Sequence, residues 1–283
     1  MAPPPSYSDL GKQARDIFGK GYHFGLWKLD VKTKTESGVE FNTSGNSNQE
    51  TGKVAGSLET KYKVDDYGLT LSEKWTTDNT LFTEISHTDK FVKGLKLTFE
   101  GSFAPHTGNK SGKIKASYGQ DLVKFDSDVN VNLAGPIINA SGVVGYEGWL
   151  AGYQTAFDTQ KTKLVTNNFA IGYVCKEFAV HTNVNDGQEF AGSVYHKVNN
   201  NLGCGVQLSW SAGSNNTKFG IGAQYNLDKD ATVRAKVNNS SQIGLGYQQK
   251  LRDGITLTLS TLVDGKNFNA GGHRIGVALE LEA

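Results

Sequence analysis

The chain has 283 residues, enough for two ordinary domains or one large β-barrel, and its formal net charge is only +1. This balance excludes a nucleic-acid partner or a polybasic membrane-surface partner recognised through bulk charge. Glycine is abundant (34), while proline (5) and methionine (1) are scarce, a composition typical of strands and turns rather than of a helical bundle.

Targeting and redox features are sparse. No run reaches the ~18 apolar residues of a transmembrane helix, and the proline-rich N-terminus lacks the apolar core of a secretory signal. The mean hydropathy of -0.42 favours a soluble protein only weakly, because a barrel strand presents apolar side chains to lipid at every second residue. Cys175 and Cys204 indicate neither a disulfide framework nor a zinc site, and we expect a reducing compartment.

One stretch, Tyr7 to Lys20, has helical periodicity. Its apolar positions are Tyr7, Leu10, Ala14, Ile17 and Phe18, and its charged positions are Lys12, Arg15, Asp16 and Lys20. Ser6 or Ser8 could cap its start, and Gly19 and Gly21 are stop signals. We predict an N-terminal segment, residues 1–24, whose amphipathic helix lies inside a β-barrel formed by residues 25–283. The alternative is a surface helix packed on a β-domain.

After residue 25 the chain alternates between apolar and polar residues, as strands do. The apolar phase is carried by Trp27–Thr33, Leu58–Val64, Leu95–Phe99, Ile114–Tyr118, Val129–Leu133, Trp149–Phe157, Phe169–Tyr173, Phe178–Val180, Val206–Trp210, Phe219–Leu227, Ala231–Val237, Ile243–Tyr247, Ile255–Leu259 and Ile275–Leu281. Turn clusters separate the runs, among them Ser44–Asn46, Asp78–Asn79, His106–Asn109, Asn185–Gly187, Asn199–Asn201, Gly213–Asn216, Asp253–Gly254 and Asn269–Gly272. We therefore predict an all-β protein of about nineteen strands joined as hairpins.

Chain length and the polar phase favour a membrane barrel. Nineteen tilted strands of ~9–11 residues with loops of ~2–5 residues would fill the chain after its N-terminal segment. If the apolar phase faces lipid, the inner phase holds more bases than acids: Lys28, Lys32, Lys34, Lys61, Lys63, Lys74, Lys96, Lys113, Lys115, Arg234, Lys236 and Arg274 against Asp30, Glu40, Glu59, Glu100 and Glu280. A barrel this wide leaves an aqueous channel, and basic walls favour anions. The alternative class is a soluble ligand-binding β-protein, such as a sandwich or propeller.

Glu73 breaks the pattern, because it occupies the apolar phase between Leu71 and Trp75. An acidic side chain facing lipid is costly and suggests a function, unless a β-bulge turns it inward. The pairs Gly244-x-Gly246 and Gly220-x-Gly222 lack the strand–turn–helix context of a dinucleotide site, so we interpret them as strand glycines. The six histidines are scattered, and the sequence indicates no metal site, no catalytic residues and no enzyme activity.

The chain resembles the mitochondrial voltage-dependent anion channel family, also called mitochondrial or eukaryotic porins, over its whole length. The resemblance is carried by Tyr225, Asp228, Ala231, Ala235, Lys236, Val237, Asn238, Asn239, Gly244 and Leu245, and by the segments Gly145–Tyr153 and Leu262–Asn267. Lys229 departs from the family pattern at a turn. The C-terminal run from Arg274 to Leu281 resembles an outer-membrane insertion signal.

The resemblance implies a nineteen-stranded barrel closed by parallel first and last strands. It also implies a voltage-gated, weakly anion-selective channel of the mitochondrial outer membrane that passes ATP, ADP, phosphate and other small metabolites. No cofactor is required, and ATP and NAD would be weakly bound pore ligands. A related alternative is the outer-membrane protein-translocase barrel.

The resemblance also assigns residues and partners. Lys12 and Lys20 would contact nucleotide, and the region linked to NAD comprises Gln242, Ile243, Gly244, Ser260, Thr261, Leu262, Val263 and Asp264. Leu10, Arg15, Asp16 and Ile17 would serve the pore and its gating, and Glu73 would serve gating, hexokinase association and lipid movement. The implied partners are outer-membrane lipids, metabolite anions, hexokinase, apoptosis regulators and further copies of the chain.

Overall fold

The computed structural model of the chain describes residues 3–89, 92–131, 135–266, 268–269 and 271–283. Within them, nineteen strands form one closed sheet in which each strand pairs with its neighbours in the chain. Neighbouring strands are antiparallel, except that the first and last strands close the barrel in parallel, with Trp27 opposite Val277 and Lys32 opposite Glu282. The predicted all-β barrel of about nineteen strands is therefore confirmed.

The strands have similar lengths, as the tilted walls of a barrel require. Their bounds are Leu26–Lys34 (β1), Glu40–Asn48 (β2), Val54–Val64 (β3), Leu69–Thr76 (β4), Leu81–Thr88 (β5), Leu95–Ala104 (β6), Asn109–Gln120 (β7), Val123–Val131 (β8), Ile137–Tyr146 (β9), Trp149–Asp158 (β10), Lys163–Val174 (β11), Phe178–Asn185 (β12), Glu189–Lys197 (β13), Leu202–Ser211 (β14), Asn216–Asn226 (β15), Ala231–Asn238 (β16), Gln242–Arg252 (β17), Ile255–Asp264 (β18) and Arg274–Glu282 (β19).

The two faces of the sheet follow the alternation in the sequence. Large apolar side chains such as Trp27, Phe99 and Ile171 are 59%, 51% and 57% exposed on the outer face. A water-soluble barrel would bury these side chains, whereas a barrel in lipid presents them to the hydrocarbon. The described buried apolar residues are few, and one cluster forms where Leu10 meets Val143 and Ala170 on the inner face.

Some sequence predictions about turns and strand ends were wrong. Ser44–Asn46 lies inside β2 rather than in a turn, because its backbone pairs with β1 and β3 on both sides. Leu227 follows the end of β15. Three positions used in the sequence argument, Leu133, Asn267 and Ala270, lie outside the described residues.

The predicted N-terminal helix is shorter than expected and has a break. A 3₁₀ turn spans Tyr7–Asp9, and helix α1 spans Lys12–Gly19. Gly11, at φ +69°, reverses the chain between them, a conformation that glycine adopts without strain. The break lets Leu10 point into the wall while α1 follows a new direction. No described helix has the length and apolar character needed to span a bilayer.

The predicted caps also need correction. Ser6 precedes the 3₁₀ turn but makes no capping bond to its backbone, and its hydroxyl donates to the Asp9 carboxylate at 2.7 Å. Gly11 occupies the N-cap of α1, where Ser8 was the alternative candidate. The predicted end is right, because α1 ends at Gly19 and Gly21 follows with φ +77°.

Candidate functional site: the lumen and the docked N-terminal segment

The N-terminal segment lies inside the barrel against one side of the lumen. Helix α1 packs on β13 to β16, and the 3₁₀ turn packs on β9 and β10. Leu10 and Ile17 are 2% and 3% exposed, so the predicted apolar face of the helix is docked on the wall. Tyr7 and Leu150 complete the cluster around Leu10. Because these side chains would otherwise be exposed to water in the lumen, their burial favours the docked position.

Glycines in the strands make room for the docked segment. A Cβ placed on Gly152 would lie 2.8 Å from Leu10 Cδ1, and one on Gly222 would lie 2.9 Å from Ile17 Cγ2. Gly205 and Gly220 have the same relation to Phe18, at 3.3 Å each. The interpretation of Gly220 and Gly222 as strand glycines agrees with their positions in β15. The structure adds the reason for them, which the sequence did not indicate: a side chain at Gly152 or Gly222 would push the helix away, whereas one at Gly205 or Gly220 would need only a small shift.

Two cations of β16 bind the carbonyl end of the helix. Lys236 Nζ donates to Phe18 O at 2.6 Å, and an Arg234 guanidinium nitrogen donates to Lys20 O at 3.0 Å. The last carbonyls of a helix have no partner within it and carry its negative dipole end. Lys236 also lies 4.0 Å from the ring centre of Tyr22 and 5.0 Å from that of Phe24. These cations therefore hold the segment instead of facing solutes freely.

Residues 21–25 continue along the wall to the barrel seam. The backbone N–H of His23 donates to Ser260 Oγ at 3.0 Å, and that of Gly25 donates to Ile275 O at 3.2 Å. A Cβ on Gly276 would collide with His23 O at 1.7 Å. Burial raises the pKa of Tyr22 to about 12, against a smaller opposing effect of Arg234. The connection between helix and barrel is thus fixed by backbone bonds.

The predicted solute-facing charges of the helix divide into two groups. Lys12, Arg15 and Lys20 are exposed to the lumen, while Asp16 is half-buried. Lys12 Nζ lies 3.7 Å from a carboxylate oxygen of Asp9. Arg15 donates a hydrogen bond to the Ser8 carbonyl across the break in the helix. Three cations therefore lie where a solute passing the helix would meet them.

The residues linked to NAD do not form one surface. The strand pairing puts Gln242, Gly244, Ser260, Leu262 and Asp264 on the lumen face, and it puts Ile243, Thr261 and Val263 on the lipid face. Part of the lumen-facing group is already covered: a Cβ on Gly244 would lie 2.8 Å from the Phe24 ring, and Ser260 holds His23. A pore ligand could reach this group fully only if the segment moved.

The lumen wall is a mixture of paired and unpaired charges. Lys113 pairs with Asp128 at 2.9 Å, Lys28 with Asp30 at 2.5 Å, and Lys115 with Glu100. The pairing also puts acids on the lumen face that the sequence count left out, among them Glu84, Asp126, Asp128, Asp158, Glu189 and Asp264.

Other lumen lysines remain without a partner. In the described part of the chain, the lumen lysines that make no ion pair within 4.0 Å include Lys32, Lys61, Lys63, Lys74 and Lys96. The extra acids and the cations used by the helix make the lumen less basic than the sequence count suggested. The unpaired lysines are the charges that passing ions meet.

Glu73 lies on the outer face, as its position in the alternation predicted. It is exposed between Leu71 and Trp75, opposite Thr60 of β3 and Thr83 of β5. Both registers run through it without a shift, so the alternative of a β-bulge is wrong. The side chain lies among threonine hydroxyls in an otherwise apolar surface.

Metal ligands do not gather in the part of the chain that the structure describes, where no three His, Cys, Asp or Glu side chains could hold one ion. Cys175 and Cys204 are both free thiols. A closed barrel with an apolar outer face, a charged water-filled lumen and an internal helix defines a membrane pore protein.

Comparison with known proteins agrees with this class. The model of the eukaryotic porin family matches residues 3–276, and the chain belongs to that family. The Drosophila melanogaster "Voltage-dependent anion-selective channel" is 73% identical over 280 residues, which cover 99% of each chain. The Xenopus laevis "Non-selective voltage-gated ion channel VDAC2" is 63% identical over 282 residues and 100% of each chain.

Structural comparison gives the fold alone. A solved structure described as "Asymmetric conductivity of engineered proteins" matches with a TM-score of 0.50 at 11% identity, covering 89% of this chain and 94% of the other. The protein is a channel and not an enzyme, as the family and its relatives indicate. The soluble β-protein and the translocase barrel were the wrong alternatives.

Proposed function

We propose that this protein is the voltage-gated, weakly anion-selective pore of the mitochondrial outer membrane, and that it passes ATP, ADP, phosphate and other small metabolites. The observation that carries the proposal is the lumen itself, which has unpaired lysines on its wall and exposed cations on its docked helix. Such a lining concentrates anions without holding them tightly. The paired carboxylates on the same wall keep the selectivity weak.

A single-channel recording in a planar bilayer tests this proposal. With a salt gradient across the membrane, the reversal potential should be shifted toward that of the anion, and the current should fall at both extremes of a voltage ramp. Protein shown to be folded and inserted but without conductance would overturn the channel. A cation-selective reversal would overturn the role of the lysines while leaving the barrel intact.

We propose that residues 1–24 act as the gating unit within the barrel of residues 25–283, with Leu10, Arg15, Asp16 and Ile17 setting the docked state. Lys12 and Lys20 would contact passing nucleotide. The proposal can be tested by tethering, because a Cβ on Gly205 lies 3.3 Å from Ile17 Cβ, close to disulfide range. Ile17→Cys with Gly205→Cys should abolish voltage closure when oxidised and restore it on reduction. Closure that is the same in both states would contradict the role of the helix.

We propose that NAD binds weakly to the lumen-facing group of β17 and β18, namely Gln242, Gly244, Ser260, Leu262 and Asp264. The positions Ile243, Thr261 and Val263 would then act only through the strand backbone. NMR titration with NAD should shift the amide signals of the lumen-facing group, and Ser260→Ala should weaken the response. Equal shifts all around the barrel would argue against a defined site.

We propose that Glu73 is the contact point on the lipid face for hexokinase and for lipid movement, and that apoptosis regulators and further copies of the chain bind the outer surface. The support is an exposed carboxylate in an apolar belt, where a charge has a cost and therefore suggests a function. Hexokinase binding to vesicles should be lost with Glu73→Gln and retained with the lumen variant Glu84→Gln. Equal binding by both variants would contradict the assignment.

A further inference from the structure

Phe82 is an aromatic side chain that the barrel leaves uncovered on its inner face. It is 44% exposed, and its register partners, Lys74 of β4 and Ser102 of β6, lie on the lumen face with it. Helix α1 packs on β13 to β16, and in a closed ring of nineteen strands β5 is half a turn away from their centre. The docked segment therefore leaves this part of the wall open to water.

The surroundings of Phe82 are polar. A cavity of about 480 Å³ is lined by Phe82, Glu100, Ser102, Lys110, Ser111 and Lys113, among others. The Ser102 and Ser111 hydroxyls are hydrogen-bonded to each other at 2.5 Å. The volume lies within the range of small-molecule sites, ~300–1,000 Å³.

The charges near this cavity are mixed: Lys110 on its lining and Lys74 beside Phe82 make no ion pair within the described residues, and neither does Glu84, two residues along the strand from Phe82. Glu100 is neutralised by Lys115, and Lys113 is engaged by Asp128. Lys74 lies directly across the strand pair from Phe82. An exposed ring beside an unpaired ammonium is the arrangement that binds heterocyclic anions, since the ring stacks on the heterocycle and the ammonium attracts the acid groups.

We infer that Phe82 and Lys74 form a weak binding site for nucleoside phosphates on the wall opposite the helix. The inference rests on the proposed function, because it assigns a stacking contact to one class of solute that the pore would pass. The base stacks on the Phe82 ring and the phosphates lie toward Lys74, while the hydrogen-bonded pair of Ser102 and Ser111 hydroxyls keeps acceptor capacity for the sugar. No bond is formed or broken.

Two probes separate stacking from charge: ATP, and inorganic tripolyphosphate, which has the phosphates without the base. Each is titrated into a single open channel at low voltage, and the reduction of the potassium chloride current gives an apparent Kd. Phe82→Leu should weaken ATP binding ~5-fold, the order expected when one base–aromatic stack is lost, and should leave tripolyphosphate binding unchanged. Lys74→Gln should weaken both probes.

The matched control is Phe99→Leu, the same substitution on the lipid face of the neighbouring strand β6, where Phe99 is 51% exposed. It should change neither titration. Phe82→Tyr, which retains a ring, should keep the tighter binding of ATP, and Phe82→Ile replaces Phe82→Leu as the ring-removing test if the latter does not insert. Equal ATP affinity in wild type and Phe82→Leu, or an equal loss for tripolyphosphate, would overturn the site. Absence of conductance in the wild type would instead overturn the proposed function.

Discussion

The bond between Lys236 and the helix end gives the sharpest test of how the N-terminal segment is held. Lys236→Met keeps the apolar stem but removes the hydrogen bond to Phe18 O at 2.6 Å and the cation–π contact with Tyr22 at 4.0 Å. A hydrogen bond from a charged donor contributes ~1.5–3 kcal/mol, and a cation–π contact contributes ~0.5–1 kcal/mol. Part of this is offset because the half-buried ammonium loses hydration. A net ~2 kcal/mol remains, equivalent to a ~30-fold larger undocked population.

The undocked population can be measured by thiol labelling at Ile17, which is 3% exposed when docked. Ile17→Cys is introduced with Cys175→Ala and Cys204→Ala, so that the reporter is the single thiol. When opening is fast relative to labelling, the labelling rate follows the open fraction. Lys236→Met should accelerate labelling ~30-fold, and voltage closure should occur at lower potential.

The matched control is Lys96→Met, which removes the same charge from the lumen on β6, away from the strands that hold α1. It should shift the reversal potential without accelerating labelling. If both variants accelerate labelling equally, the general field of the lumen holds the segment rather than the contact with Phe18. If neither variant accelerates labelling, the contacts at the carbonyl end of α1 do not stabilise the docked segment measurably.

Three further predictions concern the same structure. Gly152→Val should undock the helix, because a Cβ at this position lies 2.8 Å from Leu10 Cδ1. Overpacking costs ~1–3 kcal/mol, so the rate of thiol labelling at position 17 should rise ~5–100-fold. The control is Gly101→Val, where a Cβ has no neighbouring atom within 4 Å, and it should leave the labelling rate unchanged. Burial, with a smaller effect of Lys28, lowers the pKa of His23 below its ordinary 6.5, against the opposing carboxylates of Glu280 and Asp30. The undocked form therefore takes up the proton first, so docking should weaken as pH falls below ~6.5, and labelling of His23→Gln should be flatter across that range. Glu73→Gln should raise the free energy of unfolding from vesicles by ~1 kcal/mol, since a charge in the lipid belt is destabilising; an equal gain from the lumen variant Glu84→Gln would refute that reason.

Four of the nineteen strands were not predicted from the alternation of apolar and polar residues. The outer positions of β2 include Thr43, Gly45 and Ser47, so this strand has no apolar phase, and its centre was interpreted as a turn. Strands β5, β9 and β13 likewise gave no clean apolar run. Their existence follows from closure: each pairs on both sides with strands that the alternation did identify. Pairing with neighbouring strands therefore determined these four strands, whose own sequences show no clear apolar alternation.

The N-terminal helix was likewise predicted only in part from the sequence. Its apolar face, with Leu10 and Ile17, was readable from spacing, but the break at Gly11 was not. The break at Gly11 turns Leu10 into the pocket formed by Val143 and Ala170, where its side chain is buried. Nothing in residues 7–20 specifies that pocket.

By itself, the sequence determined the alternation in most strands, the faces of the side chains in those strands and the position of Glu73 among lipid-facing residues, because these depend only on neighbours two residues apart. Only the tertiary structure decided which strands the helix packs against, which cations bind it and which lumen lysines make no ion pair. Phe18 meets Lys236 across 218 positions, and Lys20 meets Arg234 across 214. Such contacts arise only when the sheet closes, because closure brings strands from the two ends of the chain around the same lumen.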